Sequence, residues 1–276
     1  MKLALTINCW NDEDLMFAQQ FGADGILAQA VLPGNGATWD ARTLAAMRNR
    51  VEKTGLAFIG LADLPKPPGA AVASRLAWTE DEISAACRFI EMAGEAGIPM
   101  LSCAWESGEA ASFLQRAVPA AERADVKLAY RPDDMPASPD SGVLDGQEGL
   151  DRWLDAFPSP CNGLDLCQEL FASAPGGDLL ATIGRVAARN LFLVRMSFRQ
   201  TPSSQPPSPG AVSERVPEDG RVLRLLQAYR AAGYDGPVLP TGLPAIAGDT
   251  GWGHQGHAYH IGYLRALLQV VQRKDL

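Results

Sequence analysis

The three histidines of the chain stand within seven positions of one another: His254, His257 and His260, in GHQGHAYHIGY. Imidazole is the commonest nitrogen ligand for transition metals and the one side chain that titrates near neutral pH, so the cluster points to metal binding or proton transfer. Helical geometry weakens the first option. Residues three apart are roughly 60° from eclipsing on a helix, so positions i, i+3 and i+6 fan across a wide face. His254 precedes an expected helix start at Gly256, while His257 and His260 can share a face. No further ligand stands nearby, so local hydrogen bonding at the start of a helix accounts for the pattern better than a metal does. His254 remains the candidate general acid or base, because its loop leads to the face where such sites lie.

The other residues able to do chemistry stand after short apolar runs. They include Asn8 and Trp10; Gln29; Asp63; Trp105 and Glu106; Arg131, Asp133 and Asp134; Cys167, Gln168 and Glu169; Arg195, Ser197 and Arg199; and Thr241. Tryptophan faces stack on sugar rings, and guanidinium forks hold carboxylates or phosphates. Glu106 joins His254 as a candidate for moving protons. Arg131, Arg195, Arg199, Trp10, Trp105, Trp252 and Cys167 are candidates for binding substrate. The plainer alternative pairs Arg131 with Glu106 or Glu169. Asp133 and Asp134 with either glutamate offer an oxygen-rich cation site, although such sites normally add ligands from the eighth strand, where Thr241 stands. No phosphate loop, dinucleotide fingerprint or Ser-His-Asp order is present.

Eight strand-like runs position these residues: 3–8, 24–31, 56–62, 98–105, 126–132, 162–167, 191–198 and 236–242. They are near-continuous in Val, Ile, Leu and Phe, as parallel strands covered on both faces require. Helical patterns alternate with them at 11–21, after Asp40, after Thr79, and at 108–124, 146–156, 178–189, 219–232 and 256–273. Asp40 and Thr79 suit N-caps, and Gly55 a C-terminal stop. Eight strand–helix repeats predict a (β/α)8 TIM barrel of one domain over residues 1–276, with a doubly wound open sheet as the alternative. Two long connections, 132–146 and the Pro/Ser-rich 200–218, leave the catalytic face of such a barrel as flexible loops or lids.

Composition narrows the partners. A formal charge of −8 excludes nucleic acid and anionic membrane as main partners, and no apolar run is long enough to span a bilayer. Five unpaired-looking cysteines without a CxxC pair, and an N-terminus that turns acidic early, place the protein in the cytoplasm.

Four stretches resemble the mannonate dehydratases, metal-dependent lyases of the xylose-isomerase-like barrels that remove water from a six-carbon sugar acid. They are LPGNGATWDARTLAAMRNRVEKTGL at 32–56, VKLAYRPDD at 126–134, NGLDLC at 162–167 and GHAYHIGYLRALLQ at 256–269. The last is the most specific. The resemblance runs end to end, with a shorter segment between the fourth and fifth strands. It implies a TIM barrel and a sugar-acid substrate. It also implies a divalent metal held by two histidines, a cysteine and an aspartate, with a neighbouring histidine and a tyrosine as acid–base groups. The first ligand histidine falls on Arg131 and the second on Arg195. The cysteine is kept as Cys167. The family's Asp-His pair falls on Thr241 and Gly242, and its tyrosine on Trp252. The expectation is therefore a barrel without the family's metal and without another cofactor, whose Arg131 and Arg195 hold a sugar-acid carboxylate or similar anion directly. The alternative is a catalytically inactive relative that binds a ligand or partner. Exposed barrel helices allow a homodimer.

Overall fold

The computed structural model describes residues 1–34, 36–63, 79–104, 110–131, 154–167, 179–187, 189–198, 220–243 and 246–273. Eight strands follow one another in chain order: β1 Lys2–Ile7, β2 Gly25–Gln29, β3 Ala57–Ala62, β4 Met100–Ala104, β5 Lys127–Arg131, β6 Asn162–Cys167, β7 Leu191–Ser197 and β8 Pro237–Thr241. All pair in parallel, and β1 meets β8 through Lys2 opposite Pro237 and Leu3 opposite Val238, which closes the barrel. The open-sheet alternative is therefore excluded.

The helices described around it are α1 Asp12–Gln20, α2 Ala41–Glu52, α3 Glu80–Glu95, α4 Ala110–Ala124, α5 Leu179–Ala187, α6 Arg221–Ala231 and α7 His254–Gln272. Of the helix expected at 146–156, residues 154–156 are described and are helical. The local signals explain the starts. Asp40 Oδ1 accepts the Thr43 N–H at 2.6 Å, and Thr79 forms a reciprocal capping box with Glu82.

One start differs from the sequence expectation. Helix α7 begins at His254, not Gly256, behind a left-handed Gly253 at φ 86°. The reason lies upstream. Asp249 accepts the Gln255 and Gly256 N–H groups, and Thr250 Oγ1 accepts those of Gly253 and His254. These side chains satisfy the first-turn donors, so the helix forms two residues early.

Two apolar layers build the core. The larger fills the space between strands and helices. A smaller one, of Ala4, Leu27, Ala62, Met100, Ala129, Leu193 and Leu239, draws a residue from each strand except β6 and plugs the barrel interior. Strand side chains alternate, so the residues two positions further along these strands also face inward. Those positions include Ser102, Arg131, Arg195 and Thr241, which puts a polar layer above the plug toward the C-terminal mouth.

Candidate functional site

The centre of that polar layer is a buried ion pair. Arg195 Nε donates to both Asp165 oxygens at 2.9 Å, and Nη2 donates to Asp165 Oδ2 at 2.8 Å. Ser102 Oγ donates to the same Oδ2 at 2.5 Å, and Arg195 Nη2 also reaches Ser102 Oγ at 3.4 Å. Asp165 and Ser102 are fully buried and Arg195 is 8% exposed. Three strands, β4, β6 and β7, thus meet in one charged network across the barrel interior. A guanidinium is acceptable there because a carboxylate and a hydroxyl satisfy it at close range.

A second pair lies one strand away. Arg131, at the end of β5, donates from Nη2 to Asp63 Oδ1 at 3.0 Å. Asp63, at the end of β3, has a left-handed φ of 70°, and its N–H donates to the Ser102 carbonyl at 2.7 Å. Aspartate is among the few residues that tolerate this conformation, and it turns the carboxylate toward Arg131. Arg131 is the more open of the two arginines, and Asp63 is half exposed. Among the described residues Arg131 pairs with Asp63; Glu106 and Glu169, the partners expected from the sequence, lie outside them.

Cysteine chemistry is muted here. Burial, reinforced by Asp63 and Asp165, pushes the Cys103 thiol far up and keeps it protonated, although Arg131 opposes the shift. Burial likewise pushes Cys9 up to about 11, against the pull of Arg50. Cys167, opposite Arg195 in the β6–β7 register, is buried.

The histidines lie at the β1–β8 seam. The Trp252 indole stacks flat on His257, with centroids 3.8 Å apart, and meets His254 edge-on at 4.7 Å. Phe17 of α1 packs edge-on against both Trp252 and His254. Asp14, buried in the first turn of α1 and held by Asn11 Nδ2 at 3.0 Å, faces the same imidazoles. His260 is fully buried against Phe198 at the end of β7. Trp10 is tied to the β2 side of the mouth by its indole N–H, 2.9 Å from the Val31 carbonyl. Glu106, Trp105 and Arg199 lie outside the described residues, as do Asp133, Asp134, Gln168, Glu169 and both long connections.

The sequence reading missed Asp165, Ser102 and Asp14. The signal for Asp165 was present: one acid inside NGLDLC, at a position facing inward, matches the one base inside LFLVRMSF. Asp14 gave no such signal, since acids are ordinary in a first helical turn.

A divalent metal needs ligand atoms with a lone pair to give. A guanidinium offers no lone pair, and both arginines stand where the resemblance places histidine ligands. Among the described residues no three His, Cys, Asp or Glu side chains come together in a form able to hold an ion. Arg131 and Arg195 thus cannot serve as the ligands that the resemblance places at their positions.

Comparisons with known proteins agree on ancestry. The D-mannonate dehydratase (UxuA) family model matches residues 105–275. Curated mannonate dehydratases align with 58–60% of the chain: that of Brachyspira hyodysenteriae is 27% identical over 171 residues, and that of Streptococcus uberis 30% over 182. The chain spans about half the length of the curated relatives it matches, 46% and 49% for these two. Among solved structures, mannonate dehydratase from Streptococcus suis superposes with a TM-score of 0.74 at 19% identity, covering 99% of this chain and 95% of that one. An L-ribulose 3-epimerase superposes at 0.68 with 14% identity, covering 99% and 96%. Identities this low establish the fold alone.

Proposed function

Since the chain belongs to the D-mannonate dehydratase family, we propose that it binds a sugar acid, or a closely similar small anion, at the C-terminal mouth of the barrel without the family's divalent metal. The observation that carries this reading is the Arg195–Asp165–Ser102 network beside Arg131. A guanidinium stands at each position where the resemblance puts a ligand histidine; it has no lone pair to give a cation, and that of Arg131 can pair with a ligand carboxylate.

The two arginines divide the work. Arg195 spends its charge on Asp165 and, buried, sets the polarity and shape of the floor. Arg131 sits higher, against an Asp63 whose carboxylate is half in solvent. An incoming carboxylate competes with Asp63 for Arg131 and can form a two-pronged pair with it. Trp10 and Trp252 would supply apolar walls for the carbon chain, with Cys167 at the floor; Trp105 and Arg199, the other binding candidates, lie outside the described residues. A lyase or isomerase step would fall to His254 and Glu106, the former offering an imidazole and the latter a carboxylate. A barrel that binds the acid without turning it over is the second reading, favoured by the replacement of the family's Asp-His pair with Thr241 and Gly242. Free thiols throughout the described residues suit a cytoplasmic setting.

Thermal-shift screening of C5 and C6 sugar acids, run beside a mannonate dehydration assay with and without chelator, tests the proposal. Stabilisation by a sugar acid in chelator, lost in Arg131→Ala, is the expected result. Turnover or binding that requires added Mn²⁺ or Mg²⁺ overturns it. Binding without turnover selects the second reading.

A further inference from the structure

The hydrogen bonds of His254 and His257 assign their tautomers, and the two are opposite. His257 Nδ1 lies 2.9 Å from the Gly253 carbonyl, which only accepts, so Nδ1 carries the proton and Nε2 the lone pair. His254 Nδ1 lies 2.6 Å from Thr250 Oγ1. That oxygen already accepts the N–H groups of Gly253 and His254, each at 3.2 Å, so its own proton goes to His254 Nδ1 and leaves Nε2–H on the far side of the ring. Neither Nε2 has a hydrogen-bond partner among the described residues, and neither is sealed off, whereas His260 Nε2 is buried and unpartnered.

One imidazole thus presents an acceptor and the other a donor, both braced on a single indole. A hydroxyl group needs that combination: it donates its proton to one atom and accepts on its oxygen from another. We propose that His257 Nε2 and His254 Nε2–H form a hydroxyl-binding subsite for a polyol, taking one hydroxyl or two adjacent ones, on the same end of the barrel as Arg131. This deepens, and rests on, the reading of the ligand as a sugar acid: Arg131 reads its carboxylate and the histidine pair its hydroxyls. His257, which the sequence gave no reason to prefer over His254, becomes a specificity residue.

The groups facing His257 are Asp14 from α1, Asp249 from the loop before α7, and His254. Burial, helped by His254, keeps the His257 imidazole below its ordinary pKa, against the Gly253 carbonyl and both aspartates. The lone pair is therefore present at neutral pH.

Calorimetric titrations of wild type, His257→Phe and His254→Phe with D-mannonate and with hexanoate test the subsite. Phenylalanine retains the ring packing on Trp252 and removes the nitrogens; circular dichroism verifies the fold. Nitrogen-15 spectra of the histidine rings read the tautomers with no ligand present. Each variant should bind D-mannonate about tenfold more weakly while hexanoate is unaffected. The spectra should show protonated Nδ1 on His257 and protonated Nε2 on His254. Unchanged D-mannonate affinity in both folded variants, or like tautomers on the two rings, overturns the subsite and leaves the proposed function standing. Failure of wild type to bind D-mannonate or any other sugar acid overturns both.

Discussion

Replacing Asp165 with asparagine isolates the energetics of the charged floor. The change preserves shape but removes the counter-charge of a guanidinium whose side chain is 10% exposed. Asp165 accepts at 2.8–2.9 Å from Arg195 and at 2.5 Å from Ser102. An amide turns one of those oxygens into a donor that faces other donors, and Arg195 cannot shed its proton to escape. Breaking a buried pair by removing one partner costs about 3–5 kcal/mol. At roughly 2–4 °C per kcal/mol for a large domain, the midpoint of thermal unfolding should fall by about 6–20 °C. Urea unfolding followed by far-ultraviolet dichroism gives the free energy. The control is Asp165→Leu with Arg195→Met, which removes both charges and should lie within about 1–2 kcal/mol of wild type, or exceed it. A loss below about 1 kcal/mol for Asp165→Asn, or single losses that simply add in the double variant, would refute the coupling.

Two further outcomes concern stability. His260 donates its Nδ1 proton to the Gly256 carbonyl at 2.6 Å and keeps Nε2 buried without a partner among the described residues, so a second proton would bury an unmet charge. Burial lowers its folded pKa below the ordinary 6.5, and His257 shifts the same way. An unfolded histidine binds the proton first, so this stability is complete above about pH 6.5 and is lost as pH falls toward the depressed folded value. His260→Phe should flatten that slope in a urea midpoint series; an equal slope in wild type and variant would contradict the assignment. In β3, Gly60 has φ 152°, and a Cβ there would stand 2.3 Å from the Met100 carbonyl oxygen. Gly60→Ala should therefore cost more than about 2 kcal/mol by separating β3 from β4, and a neutral result would be incompatible with this packing.

Much of the architecture was legible because its signals are local. Each apolar run of the sequence became a strand, and Asp40 and Thr79 became caps, since both depend on a few neighbouring residues. The α7 start was misplaced because its donors are satisfied by Asp249 and Thr250, several residues upstream and outside the helical pattern. The Arg195–Asp165–Ser102 contact depends on barrel closure, which brings β4 opposite β6 and β7; the lone acid of NGLDLC and the lone base of LFLVRMSF hint at the pair, but nothing in the spacing adds Ser102 to it. Arg131 and Arg195 stood out through resemblance, but their partners emerged only with the register of the strands. The histidine tautomers rest on the loop from Gly242 to Gly253, whose path periodicity does not encode.

The proposed replacement of a metal by arginine charge is open to a direct test. Chelator-treated protein, verified metal-free, is titrated with D-mannonate in a calorimeter beside Arg131→Ala. Wild type should bind saturably, with no improvement from added Mn²⁺, and the variant should bind at least about tenfold more weakly. Binding that appears only when Mn²⁺ is restored, or that is indifferent to the loss of Arg131, would contradict it.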